Sequence, residues 1–293
     1  MQIVAIADDT TGALEVGGQL ASRGVRTLVA TVADFRADGD AVVLDAQTRH
    51  MPPDLAGETV TQLASAARAA GVLHIYKKTD STLRGNIASE FRALLDVFPG
   101  WPLVYVPAYP KMGRIVKGGQ LLVDGRPLAE TPMARDPLNP VTEGFVPAML
   151  SAEMTVSLAP TAAILGRHLR AGAGGAVLVC DGSNDRDLAE SASVIGGLGR
   201  PCLVAGTGGF VGHWVDSLPV KRGYAKPVVS VARRLMVSGS LHPASLEQVR
   251  QAEHAGFPVF YLPEQPAQDE SVTVQLAAAV AGGGWPVLAP PGG

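Results

Sequence analysis

Short, nearly continuous apolar runs recur through most of the chain: Ile3–Ala7, Thr27–Val32, Ala41–Leu44, Leu73–Lys77, Leu103–Pro107, Ala176–Cys180, Cys202–Ala205, Leu235–Val237, Val259–Leu262 and Pro286–Leu288. A strand exposed on one face alternates apolar and polar residues, whereas a strand covered on both faces does not. Helical stripes separate the runs: Leu55, Val60, Leu63 and Ala67; then Ile87, Phe91, Leu94, Leu95 and Phe98, with Asn86 placed to cap. Later stripes span Leu188–Leu198, Leu246–Ala252 behind Pro243, and Val272–Val280. Strand–helix alternation of this kind predicts an α/β fold: an N-terminal doubly wound, mostly parallel sheet domain followed by a second, smaller α/β domain. With 293 residues there is chain enough for two such cores. Charge, Gly and Pro cluster at Leu218–Pro227, which sets the expected domains at residues 1–225 and 226–293. Between Pro107 and Pro147 the pattern breaks into Pro, Gly, Asp and Arg, with a hairpin expected about Asp124-Gly125.

The charge balance excludes several classes of function. The formal net charge is −3, without the basic field that a phosphate backbone requires, so nucleic acid is not an expected partner. No apolar stretch is long enough to cross a membrane, and MQIVAIADD has no basic segment of a leader; a cytoplasmic location is expected. Cys180 and Cys202 fit no metal spacing and read as small core residues. The six histidines are scattered, so no metal site is expected.

Polar groups concentrate where strands end, and in open α/β sheets ligands bind beyond the carboxyl ends of the strands. The first strand runs into Asp8-Asp9-Thr10-Thr11-Gly12. One acid there is explained by capping a helix, but two adjacent carboxylates require a cation, a metal or hydroxyl donors as well. A second tip carries Lys77-Lys78-Thr79-Asp80-Ser81-Thr82-Leu83-Arg84-Gly85-Asn86. Lys78 and Asp80 fall on one side of an extended segment. Cations grip a carboxylate or phosphate while Asp and Ser oxygens bind hydroxyls, a combination suited to a polyhydroxy acid. Thr48-Arg49 follows a third strand and supplies a candidate carboxylate clamp. Near the C-terminus, Ser238-Gly239-Ser240 joins a strand to a helix and reads as an anion cradle. The stretch Gly206–Gly212 looks like a dinucleotide fingerprint, but Val211 stands where the third glycine belongs, and no P-loop motif exists.

The stretches Ala7–Ala13, Thr48-Arg49, Lys78–Asn86, Pro107–Pro110 with Gly113-Arg114, Val123-Asp124-Gly125 and Val237–Ser240 occur in the order found in the four-carbon acid sugar kinase family, which the chain resembles. The resemblance implies an N-terminal domain that binds a sugar acid and a C-terminal domain that binds ATP with Mg²⁺. It further implies phosphorylation of the terminal hydroxyl of D-threonate, D-erythronate or a 3-oxo-tetronate. Carried over, Asp8, Asp9, Arg49, Lys78, Asp80, Ser81 and Arg84 would line the acid pocket, with Arg49, Lys78 and Arg84 on the substrate carboxylate. One acid among Asp8, Asp9 and Asp80 would orient or deprotonate the attacking hydroxyl, Asp9 and Asp80 being the catalytic candidates. Ser238, Gly239 and Ser240 would contact the nucleotide. The sequence departs from the family in one respect: the Gly-Gly-Asp-Thr phosphate turn of typical, longer members is not found before Gly293. A shortened nucleotide domain is therefore expected, with a sheet edge exposed or borrowed from another chain, and a second copy is a candidate partner. The alternative reading is a sugar-acid-binding homologue that does not hold ATP.

Overall fold

The computed structural model describes residues 1–31, 39–136, 138–223, 233–241, 243–263 and 271–290. Two compact units make up the chain, Met1–Lys226 and Pro227–Gly293.

The first unit is built in the order β1 (Ile3–Ala7), α1 (Thr10–Ser22), β2 (Thr27–Ala30), β3 (Ala41–Asp45), α2 (Pro53–Ala69), β4 (His74–Lys78), α3 (Ile87–Val97) and β5 (Leu103–Val106). Three short strands follow, β6 (Arg114–Lys117), β7 (Gln120–Val123) and β8 (Arg126–Pro127). The unit closes with α4 (Val146–Ser151), β9 (Val156–Ala159), α5 (Ala162–Arg170), β10 (Val177–Cys180), α6 (Asp185–Gly196), β11 (Leu203–Gly206) and α7 (Gly208–Asp216). Eight strands form one sheet in the order β2-β3-β1-β4-β11-β5-β10-β9, every pairing parallel. Helix packing groups α1, α7, α6 and α5 together and α2 with α3, as right-handed crossovers in this strand order require. The continuous apolar runs are explained by this double cover: every residue of β1, β3, β5, β10 and β11 is buried.

Chain direction across the sheet reverses between β1 and β4. After β1 the chain moves toward β3 and β2; after β4 it moves toward β11 and β5. The two strands are hydrogen-bonded in register, Ala7 opposite Lys78, so their loops part and leave a crevice above them.

The remaining differences from the sequence pattern have local causes. β9 escapes periodicity because Val-Ser-Leu-Ala on a sheet edge is only partly buried. The hairpin forms at Asp124-Gly125, both residues at positive φ as a two-residue turn demands, and β6 joins it as a third antiparallel strand. Asn86 precedes α3 but makes no side-chain cap; its amide instead donates to the carbonyls of Thr48 and Met51, each at 2.8 Å. Val32 and the segment 224–232 lie outside the described residues, as does His242.

The second unit comprises β12 (Met236–Val237), α8 (Pro243–His254), β13 (Val259–Tyr261), α9 (Ser271–Ala281) and β14 (Val287–Ala289), the strands parallel in the order β12-β14-β13. Its buried cluster among the described residues is Val249, Val287 and Ala289.

Candidate functional site

Asp9 lies just beyond β1 and caps α1: its Oδ1 accepts from the Gly12 amide at 2.8 Å, the expected N-cap bond. Its Oδ2 accepts from Arg49 Nη1 at 2.7 Å. Arg49 Nε donates to Asp8 Oδ2 at 2.7 Å, and Nη2 lies 3.7 Å from Asp80 Oδ1. Arg49 is thus the hub of three aspartates from two strand tips. Burial works against its charge, but Asp8, Asp80 and Asp9 outweigh that and raise its pKa.

Asp80, just beyond β4, is held from the other side. Arg84 grips it with two bonds, Nε to Oδ2 at 3.0 Å and Nη2 to Oδ1 at 2.8 Å, while the Thr82 amide donates at 3.0 Å. Burial alone would push this carboxyl up; Arg84, Arg49 and Thr82 more than offset it and hold it well below the usual carboxylate range. Arg84 also reaches Asp136 at 3.3 Å. Leu83 between them adopts positive φ, a backbone cost borne at the site loop.

Lys78 differs from both arginines. Its side chain is buried, yet its ammonium has no hydrogen-bond or ion-pair partner among the described residues. Gly12 explains its placement, since a Cβ there would lie 2.8 Å from Lys78 Nζ and 2.6 Å from Asp9 Oδ1. Lys77, one residue earlier, points the opposite way, as strand alternation requires. It is wholly buried, with Nζ 3.1 Å from Glu90 Oε2.

These groups surround a cleft of about 390 Å³ whose walls include Asp9, Arg49, Lys78, Asp80, Ser81 and Arg84. Asp8 stays behind Arg49, almost fully buried, and acts on the cleft through that arginine. Two helix N-termini open on the cleft, α1 at Thr11 and Gly12 and α7 at Thr207 and Gly208; both favour an anion.

The far wall was not legible in the sequence. Glu15, from α1, accepts a hydrogen bond from Tyr109 at 2.9 Å, and burial together with Glu15 pushes the Tyr109 phenol up to about 12. The Gly206–Gly212 stretch packs against these two residues. A Cβ at Gly208 would lie 1.9 Å from the Glu15 carboxyl carbon, and one at Gly209 would lie 2.4 Å from the Tyr109 ring. These glycines make room for side chains of the same chain. Asp45 was likewise missed; it accepts from Thr10 at 2.6 Å and braces the start of α1. Ser238, Gly239 and Ser240 belong to the second unit, following β12 on a turn that is exposed at Gly239 and Ser240.

Fold and cleft together define a class: an α/β protein whose parallel sheet presents acids, cations and hydroxyls at a topological switch. Residues 3–214 match the family described as the sugar-binding N-terminal domain, and the chain belongs to the four-carbon acid sugar kinase family. It is 33% identical over 260 residues to a D-threonate kinase of Bordetella bronchiseptica, covering 86% of this chain and 62% of that protein. It is 32% identical over 274 residues to a D-erythronate kinase of Heliobacterium modesticaldum, covering 86% and 60%. The chain thus spans about three fifths of the length of these relatives. A solved domain of unknown function from Bordetella bronchiseptica, a domain-swapped dimer with bound citrate, superimposes with a TM-score of 0.67 at 28% identity. That superposition covers 100% of this chain and 75% of the other. No helix among the described residues is long and apolar enough to cross a membrane.

Proposed function

We propose that the chain is an ATP-dependent kinase that phosphorylates the terminal hydroxyl of a four-carbon sugar acid: threonate, erythronate or a 3-oxo-tetronate. The observation that carries this reading is Lys78, a buried residue whose ammonium reaches the cleft beside the α1 N-terminus with no partner among the described residues, in a cleft otherwise furnished with hydroxyl-binding oxygens. A single carboxylate satisfies Lys78, and the polyol tail then meets Ser81, Asp9 and Glu15. Arg49 and Arg84 are committed to aspartates, so they hold the pocket's acids in place and add long-range positive charge rather than their strongest bonds.

Of the two catalytic candidates, Asp80 is the weaker base, since arginine contacts hold its carboxyl low. Asp9 carries one hydrogen bond on each oxygen and faces the cleft, which leaves acceptor capacity for the attacking hydroxyl. Asp9 is therefore assigned to orient that hydroxyl and accept its proton, and Asp80 to bind a neighbouring hydroxyl. Phosphoryl transfer depends chiefly on positioning and charge stabilisation, which this arrangement offers.

ATP with Mg²⁺ supplies the phosphoryl group when bound. The donor set after β12 suits a nucleotide phosphate, with Ser238 and Ser240 flanking Gly239, around which no described residue lies within 4 Å of a Cβ position. Among the described residues no group of three or more His, Cys, Asp or Glu side chains is arranged for a metal ion. In this reading Mg²⁺ is thus held by the nucleotide phosphates and its own waters. The small buried cluster among the described residues of the second unit favours the alternative, an acid-binding protein without ATP turnover. Incubation with ATP, Mg²⁺ and each tetronate, with ADP release monitored, separates the two. Turnover on one acid supports the kinase; tetronate binding without turnover supports the alternative. No binding of any four-carbon acid by the folded protein rejects both. The expectations of a cytoplasmic location and of a second copy as partner stand as parts of the same proposal.

A further inference from the structure

Two cations of the cleft sit next in sequence to residues that are wholly buried, and both of those residues end on one carboxylate. The Thr48 hydroxyl, beside Arg49, hydrogen-bonds Glu90 Oε1. Lys77, beside Lys78, places Nζ 3.1 Å from Glu90 Oε2 and donates to the Lys78 carbonyl at 3.0 Å. Thr48 and Lys77 are 0% exposed and Glu90 is 1% exposed. The start of the same helix holds the same loop, since Asn86 donates to the carbonyls of Thr48 and Met51.

Stability is a poor reason for such an arrangement. Taking two charges out of water carries a large desolvation cost, and apolar residues of similar volume often serve a core equally well or better. Lys77 meets Glu90 Oε2 as a close ion pair at 3.1 Å, deep in the core. What the arrangement does achieve is geometric: one rigid carboxylate on α3 anchors both the 45–51 loop and the tip of β4. We infer that Glu90 is a positioning residue, fixing through Thr48 and Lys77 the separation and orientation of Arg49 and Lys78 across the cleft. The functional consequence rests on the acid-binding reading above; the structural claim does not.

Two variants test this, each with a melting temperature, a crystal structure and calorimetric titration with D-threonate and D-erythronate. In the double variant Lys77→Met/Glu90→Leu both charges leave together, so the melting temperature is expected to stay near or above that of the parent. The 45–51 loop is nonetheless expected to shift, with Arg49 off Asp8 and tetronate affinity reduced on the order of tenfold or more. Retention of Arg49 and Lys78 in place, with parental affinity, would overturn the inference. Should the double variant fail to fold, Glu90→Gln preserves shape and removes the charge facing Lys77. Weaker tetronate binding at a near-parental melting temperature supports positioning, and unchanged affinity overturns it. If the parent itself binds no tetronate, the acid-cleft reading fails, and the crystallographic positions of Arg49 and Lys78 in the variants still decide the role of Glu90.

Discussion

In the first unit five strands bury every residue, whereas in the second Met236 and Val237 of β12 are 36% and 66% exposed and α9 buries none of its side chains. Both units use parallel strands joined by helices, so the contrast lies in cover and not in topology. It teaches where preorganisation resides. Asp8, Lys78 and Asp80 emerge from a double-covered sheet and are each less than a tenth exposed, so the cleft is shaped before any ligand arrives. Ser238, Gly239 and Ser240 follow a two-residue edge strand, and Gly239 and Ser240 are exposed.

The contrast can be broken most sharply at the site itself. Lys78→Met removes a cleft cation that has no partner among the described residues and is expected to weaken tetronate binding roughly 10- to 100-fold. Ser240→Ala is expected to leave that affinity unchanged, and calorimetry on both variants checks the pair. Equal losses would mean that acid binding is not confined to the first unit. A second comparison concerns stability, measured by denaturant unfolding. Phe91→Ala, in the core against Tyr105, is expected to cost about 3–5 kcal/mol. Val274→Ala, 66% exposed on α9, is expected to change stability by less than about 0.5 kcal/mol.

The smallest effect is a pH dependence. Asp80 is held below its ordinary pKa in the folded state, so its pairing contributes stability above about pH 4 and loses that contribution as the pH falls further. Arg84→Gln should therefore be less stable than the parent at neutral pH, with the difference shrinking on acidification below about pH 4. A difference that grew on acidification would contradict the assignment of Arg84 as the group that holds Asp80 ionised.

Much of the first unit was legible because a doubly covered strand writes itself as an uninterrupted apolar run, as Ile3–Ala7 and Ala41–Leu44 do. The tips were legible for the complementary reason: Asp8-Asp9 and Lys78-Thr79-Asp80 interrupt such runs where a strand must end. What sequence did not reveal are partnerships set by tertiary distance. Glu15 and Tyr109 stand 94 positions apart, and Thr48 and Glu90 stand 42 apart. The adjacent lysines show the same limit. Composition groups Lys77 with Lys78, but alternation along β4 sends one to the core and the other to the cleft. Asn86 was readable as polar punctuation before a helix, yet its amide ties down a loop from another crossover.

The most direct test is a titration of the folded protein with D-threonate, D-erythronate and a 3-oxo-tetronate, each set beside the matching neutral polyol. Saturable, carboxylate-dependent binding that disappears in Lys78→Met is the predicted result. Equal binding of acid and polyol, or acid binding indifferent to Lys78, would contradict the assignment of this cleft to a short sugar acid.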